Sequence, residues 1–281
     1  MNKPYFIADI GSNHNQDIER TKALIRATKS IGCDAVKFQL FKGEKLWHSS
    51  SQNMKLSKER ELPEEFLPVI REVCDEVGLD LVFTPFDLDG VDLLLPYVDM
   101  YKIASYELLW ADLIKKCAST EKPMIISTGM ADMGEVLNAV LWATAEGCID
   151  ITLLHCVSEY PANYRNSNLS VIAEMRRYFH PEVTSIGWSD HTVDHLVLLV
   201  ATEEFHSDVI EFHFDLEDKQ GAESKHGHCW TASRIESIIA VSKKMSAIRG
   251  DGIKTPTDSE LKERTNRTDP SDGLRPMKYM R

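Results

Sequence analysis

No run of apolar residues in this chain approaches the roughly 20 that a membrane-spanning helix needs. Met1 to Ile10 also lacks the basic, then apolar, then small-residue order of a secretory leader. Both absences predict a soluble, cytoplasmic protein with no membrane partner. The six cysteines (Cys33, Cys74, Cys117, Cys148, Cys156 and Cys229) include no CxxC pair, which argues against a zinc knuckle and a disulfide framework and for reduced, mostly buried thiols. Basic charge is scarce as well. A net charge of −12 and the lack of any Lys/Arg run repel polyanions and speak against nucleic acid as a partner. Neither an internal repeat nor a low-complexity segment interrupts the chain.

What the chain does have is alternation. Short apolar strands, each ending in polar residues, alternate with amphipathic helices along nearly its whole length, the pattern of a (β/α)8 TIM barrel whose active site gathers the strand C-terminal ends. The 281 residues, 43% of them hydrophobic, suffice for one such core, which usually takes about 250 residues. The expected organisation is a single domain over residues 1–250 and a polar, extended or draped tail over 251–281, where Pro256, Pro270, Pro276 and many charges accumulate.

The expected strands are Phe6–Ile10, Ala35–Phe41, Asp80–Thr84, Asp99–Ala104, Pro123–Thr128, Ile151–Cys156, Val183–Trp188 and Asp208–Phe214. Phe66, Ile70, Val73 and Val77 give the clearest helical period, with Pro63 near its start. Asp132 and Glu135 form a plausible capping pair. Lys42 to Leu62 reads as a long polar loop, either a lid or a surface excursion.

Lys37 and Gln39 are two apart in one strand and share a face, as do Glu211 and His213 in another. Charge inside a barrel costs several kcal/mol unless it is paired or bound to ligand. Pairing of each lysine with a carboxylate such as Asp9 or Glu211 is one solution. Two lysines, Lys37 and Lys102, accompanied by Thr84, Ser105, Ser127 and Ser189, favour an anion site. His191 and His213, at the ends of adjacent strands, could share one divalent ion, and such an imidazole pair suits manganese, iron, zinc or cobalt. His14 and His155 also sit at strand ends and are ambiguous. His48, His180, His195, His206, His226 and His228 read as ordinary core or surface residues. Asn168 and Asp194 precede helices, where capping is the alternative to a functional role.

Eight segments then occur in a telling order: Ala8-Asp9-Ile10-Gly11-Ser12-Asn13-His14-Asn15, Val36-Lys37-Phe38-Gln39, Thr84-Pro85-Phe86-Asp87, Tyr101-Lys102-Ile103-Ala104-Ser105, Ser127-Thr128-Gly129-Met130, Leu154-His155-Cys156-Val157-Ser158, Tyr160-Pro161-Ala162 and Ser189-Asp190-His191-Thr192. Each alone is weak, but the ordered set, spanning residues 5 to about 250, closely resembles the sialic acid synthase family. The resemblance implies condensation of phosphoenolpyruvate with an open-chain N-acylamino sugar, giving a nonulosonic acid and phosphate. A divalent metal, usually Mn2+, with Mg2+ or Co2+ as alternatives, assists. By similarity, Lys37, Thr84, Lys102, Ser105, Ser127, Asn168 and Ser189 hold the phosphate and carboxylate of phosphoenolpyruvate, and His191 and His213 bind the metal. Gln39, on the face of Lys37, is counted with the substrate-binding residues. Glu107 matches a sugar-binding carboxylate, and Glu223, in a Gly-Ala-Glu run where the family commonly has Gly-Pro-Asp, is a second sugar contact.

The chemistry explains these residue types. The enol carbon attacks an aldehyde whose oxygen gathers negative charge, which a divalent ion stabilises, while lysines and hydroxyls hold the phosphate that departs. Asp9 and Glu211, alongside water, are the candidates for proton transfer. The chain departs from the family pattern in three respects. Asp9 stands where Glu is frequent. Phe212 replaces a Lys or small residue. The Lys219–Trp230 stretch is unlike the usual run. Typical members also continue into a C-terminal antifreeze-like domain that the resemblance does not reach. The expectation is an intact phosphoenolpyruvate and metal half beside a rebuilt sugar half, with a homo-oligomer left open. Three other readings compete. A non-catalytic sugar-phosphate sensor would not need two metal-capable histidines beside two lysines. A sister synthase that condenses phosphoenolpyruvate with a phosphorylated pentose would want more basic residues than Lys225 and Arg165. A metal-dependent hydrolase barrel would commonly draw a His-x-His pair from strand one, which here offers Asp9 alone.

Overall fold

The computed structural model describes residues 3–281. Eight parallel strands close into a barrel in the order β1-β2-β3-β4-β5-β6-β7-β8. They are β1 (Tyr5–Gly11), β2 (Ala35–Leu40), β3 (Asp80–Pro85), β4 (Met100–Ile103), β5 (Met124–Ser127), β6 (Ile151–Cys156), β7 (Ser185–Asp190) and β8 (Val209–His213). The helices, in chain order, are α1 (Ile18–Ser30), α2 (Gly43–Leu46), α3 (Asn53–Lys58), α4 (Leu67–Val77), α5 (Leu88–Leu94), α6 (Ala111–Ala118), α7 (Met133–Ala145), α8 (Ser170–Phe179), α9 (His195–Glu203), α10 (Ala232–Arg249) and α11 (Asp258–Glu263). The expected (β/α)8 barrel is therefore the observed one. No helix among the described residues is long and apolar enough to cross a membrane.

Local chemistry sets the helix starts. Asp17, Asp87 and Asp194 each cap a helix by accepting backbone N–H bonds, and Asp132 with Glu135 closes the expected capping box of α7. Two segments differ from expectation. The polar stretch 42–62 is not a plain loop, because α2 and α3 fold within it, and Glu61 ties it down by accepting from Gly43 N at 2.7 Å. Residues 251–281 are not extended throughout, since Thr257 and Glu260 form a second capping box that starts α11.

Two apolar layers hold the barrel. The larger lies between the strands and the surrounding helices; the smaller, inside the barrel, comprises Ile7, Ala35, Val82, Ile125, Leu154 and Val209. Because a strand's side chains alternate with a period of two, the next inward position along four of these strands is Asp9, Lys37, Ser127 or Glu211. The apolar layer is thus the floor of the barrel, and the polar residues directly above it form the bottom of a site.

The end of β7 is fixed by one buried carboxylate. Asp190 accepts from the indole N–H groups of Trp188 (3.2 Å) and Trp230 (2.9 Å), from Thr192 Oγ1 (2.7 Å) and from Val193 N (3.0 Å). Removing a group with this many buried donors leaves them unpaired. Asp190→Ala is expected to lower unfolding free energy by about 3–5 kcal/mol, with Asp190→Asn losing less. Urea denaturation of both variants checks this, and a loss below about 1 kcal/mol for the alanine variant would contradict it.

Candidate active site

The strand ends bring Asp9, Lys37, Gln39, Lys102, Ser105, Ser127, Ser189, His191, Glu211 and His213 around one pocket, together with Ala104, Tyr106 and Tyr160. Its enclosed part is small, about 50 Å3. At its base lies a buried network of four charges. Lys37 Nζ donates to Asp9 Oδ2 at 2.7 Å and lies 3.6 Å from Glu211 Oε1, and Lys102 Nζ donates to the same Glu211 oxygen at 3.1 Å. Ser189 Oγ adds a third contact to it at 3.1 Å. Asp9 is held further by Gly11 N (3.0 Å) and Gln39 Nε2 (3.2 Å).

The protonation states follow from these contacts. Burial opposes the charge on Lys37, but Asp9 and Glu211 outweigh it and hold the lysine above its ordinary range. Lys102, equally buried and with Glu211 as its one close carboxylate, sits below its ordinary range. Burial would raise Glu211, yet Lys102 and Lys37 pull it down to about 2, so it is ionised. Its Oε2 is buried without a partner, as are Thr84 Oγ1, Ser127 Oγ, Ser158 Oγ and Glu107 Oε2. Such orphaned acceptors and hydroxyls mark a place prepared for a ligand.

Hydroxyls converge next to this network. Gly129 N donates to Ser105 Oγ at 3.1 Å, and Ser105 Oγ lies 3.3 Å from Cys156 Sγ. A Cβ on Gly129 would collide with Ser158 Oγ, so only glycine lets this backbone approach the hydroxyls. Ser158 lay in a family segment but was given no role by sequence reasoning. Asn168, expected beside the phosphate, instead lines a separate hollow of about 500 Å3 with His155, Ser158 and Met175, and its Oδ1 accepts from Ser170 Oγ at 3.0 Å.

Above the lysines stand the histidines. His191 Nδ1 donates to Val157 O at 2.6 Å, which leaves Nε2 as the lone-pair nitrogen. Burial and the neighbouring His213 drive its pKa to about 3, so it is neutral. The His191 and His213 ring centroids are 5.4 Å apart. For His213, burial lowers the pKa, but Asp9 and Glu223 raise it above the ordinary value. Its Nδ1 lies 3.0 Å from Glu223 Oε2 and 3.6 Å from Asp9 Oδ2. Glu223 thus faces the imidazoles, where sequence reasoning expected a sugar contact. Among the described residues, His213, Glu223 and His228 place one ligand atom each within 4.8 Å of one another. His228, read from sequence as ordinary by default and otherwise only as part of a loop with Lys225 and His226 offered for sugar contacts, stands here among the imidazoles. Tyr160 roofs the group, its ring centroid 4.2 Å from that of His191 and 5.2 Å from that of His228. A neutral His191, the imidazoles of His213 and His228, the Glu223 carboxylate and the unpartnered Glu211 oxygen make a donor set that fits a divalent ion.

Position 223 depends on distant chain. Glu223 Oε1 accepts from Ser12 N at 2.7 Å, and Asn13 Oδ1 accepts from Glu223 N and Ser224 N at 2.9 and 3.2 Å. Gly11 has φ +50°, and a Cβ there would strike the Glu223 carboxylate. Nothing in the local sequence around 223 announces this partner some 210 residues away.

A (β/α)8 barrel with paired lysines and carboxylates beneath clustered imidazoles is the class these features define. Residues 24–254 match the NeuB family, and the chain belongs to it. The N,N'-diacetyllegionaminic acid synthase of Legionella pneumophila is 33% identical over 276 residues, covering 92% of this chain and 76% of that protein. The crystal structure of N-acetylneuraminic acid (sialic acid) synthetase from Leptospira borgpetersenii, in complex with citrate, superposes with a TM-score of 0.81 at 25% identity, over 93% of this chain and 90% of that one. The Bacillus subtilis spore coat polysaccharide biosynthesis protein spsE gives 0.79 at 30% identity, over 94% and 77% respectively.

Glu107 provides a pH test of the site. Burial raises its carboxyl to about 7 against the attraction of Lys102. A raised acid binds its proton more tightly folded than unfolded, so between about pH 4.5 and 7 rising pH costs stability, and the penalty persists above that range. Glu107→Gln removes the penalty. The variant is expected to match the wild type near pH 4.5 and to exceed it by about 2 kcal/mol at pH 8, a figure discounted for the residue's partial exposure. Parallel denaturation at the two pH values measures it, and a pH-independent difference would refute it.

Proposed function

We propose that this chain condenses phosphoenolpyruvate with the open-chain form of an N-acylamino sugar, forming a nonulosonic acid and releasing phosphate. The observation that carries the reading is the buried Lys37/Lys102 pair, set among orphaned hydroxyls directly beneath His191 and His213. Family membership supports it, as do the names of the Legionella and Leptospira relatives, which are acid synthases.

In this reading Lys37 and Lys102 exchange part of their contact with Asp9 and Glu211 for the anionic groups of phosphoenolpyruvate. Ser105, Ser127 and Ser189 donate hydrogen bonds to the same groups, joined by Ser158 and Thr84, whose hydroxyls have no other partner. Fixing the enol this way supplies the orientation that a two-substrate carbon–carbon bond formation needs. A divalent ion such as Mn2+, held by His191 and His213 with the carboxylate of Glu223, would supply positive charge where the aldehyde oxygen gathers negative charge. The enol carbon bonds to the aldehyde carbon, water adds at the enol's oxygen-bearing carbon, and the C–O bond to phosphate breaks. One water is consumed and one phosphate leaves. Glu211, with Oε2 unpartnered, becomes more basic as Lys37 and Lys102 turn to phosphoenolpyruvate and accepts the proton of the adding water, while the alkoxide left from the aldehyde takes up one proton to become a hydroxyl. Asp9, bound to Lys37 and 3.6 Å from His213, holds both in register. Glu107, close to neutral pH in its titration, donates to a sugar hydroxyl or acyl oxygen.

The test is phosphate release from phosphoenolpyruvate in the presence of Mn2+ and a panel of N-acylamino sugars, with mass spectrometry of the product. Release that requires both the sugar and the ion supports the reading. Release with arabinose 5-phosphate alone, or none with any sugar, sinks it. Lys37→Met and Lys102→Met are each expected to reduce kcat/KM for phosphoenolpyruvate by about 100- to 1,000-fold, with circular dichroism confirming the fold.

A further inference from the structure

His228 is a site residue outside the family segments and without a role by resemblance, and its surroundings are built rather than accidental. The residues after it return to the barrel: Trp230 N donates to His213 O at 2.8 Å and Asp215 N donates to Trp230 O at 2.9 Å, so Phe214 and Trp230 form a parallel bridge that prolongs β8. The indole of Trp230 is locked by Asp190 at 2.9 Å. The residues before it are clamped by Asn13, whose Nδ2 donates to Phe214 O at 2.9 Å while its Oδ1 accepts from Glu223 N at 2.9 Å. Position 228 is thereby pinned from both sides, and its ring centroid comes 4.7 Å from that of His213.

The side chain itself looks committed to a ligand. It is 5% exposed, its Nε2 is 3.8 Å from Glu223 Oε2, and its Nδ1 is buried without a partner. An unpaired buried nitrogen costs about 1–3 kcal/mol, and here it stands beside a second imidazole and a carboxylate whose ligand atoms converge.

We propose that His228 is a third imidazole ligand, joining His213 and Glu223 in one cage beside His191, and that it tunes the site toward nitrogen-preferring transition ions such as Co2+, Fe2+ and Zn2+ over Mg2+. Magnesium takes oxygen ligands in an octahedron and gains little from another imidazole, whereas the later first-row ions gain much. The inference rests on the reading of this pocket as metal-assisted, and deepens it by naming a ligand and a selectivity.

Cobalt serves as the probe, because the visible absorption of Co2+ reports coordination independently of turnover. Chelator-stripped wild type, His228→Ala and His228→Gln, each checked for fold by circular dichroism, are titrated with Co2+ and with Mg2+. The expected result is a loss of at least about 30-fold in Co2+ affinity and a changed Co2+ spectrum in both variants, with Mg2+ affinity altered less than about threefold. Equal Co2+ affinity and an unchanged spectrum in the two variants overturn the inference while leaving sugar-dependent phosphate release by the wild type untouched. A His228-dependent Co2+ spectrum in a protein that releases no phosphate with any sugar supports the ligand and sinks the condensation reading alone.

Discussion

Everything at the top of this barrel is arranged around a neutralised square of charge: Lys37 against Asp9, and Lys102 against Glu211, with Lys37 also within reach of Glu211. Four ionised groups, each no more than 4% exposed, could not remain in so dry a place singly. Their mutual pairing lets the lysines stay where an anion would need them. It also sets the terms of binding, since an anion entering the pocket competes with the carboxylates for the same ammonium protons. A divalent cation held nearby would favour the exchange by giving Asp9, Glu211 and Glu223 an alternative counter-charge, which couples the roles proposed for the lysines and the histidines.

The placement of this square follows from the strand period. Ile7 and Asp9, Ala35 and Lys37, Ile125 and Ser127, and Val209 and Glu211 are each two residues apart, the first in the barrel floor and the second in the pocket wall. This part of the site was legible in the sequence because a short strand's inward face is fixed by alternation once the strand is recognised. The same logic brought His213 beside Glu211 and put His191 at the end of the neighbouring strand. The pairing of each lysine with a carboxylate, weighed from sequence against an anion site, is what the pocket contains.

Legibility failed where position is set by contacts distant in sequence. His228 lies in a stretch whose local pattern is that of a polar loop, and only the Phe214–Trp230 bridge and the Asn13 clamp carry it to His213. Glu223 was noticed as an acidic residue in a variant motif, but its direction is decided by Ser12 and Gly11 at the far end of the chain. Asn168, with φ +40° and its Oδ1 accepting from Ser170 Oγ, lines the hollow that also holds Ser158, a placement that local sequence does not specify. In the tail, the Thr257–Glu260 capping box was a readable helix start, overlooked because prolines and charge dominate the surrounding composition.

The bridge between Phe214 and Trp230 makes the intervening segment a closed excursion with both ends sewn to the same strand. Such a segment can be lengthened, shortened or rewritten in its middle without shifting the barrel, since loop closure costs little more for a few added residues. The residues of 216–227 other than Glu223 could then diverge, while Glu223 stays clamped by Ser12 and Asn13 and His213 and His228 on either side of the stitch keep their spacing. A family member could acquire a different substrate along this route without having to reinvent its chemistry.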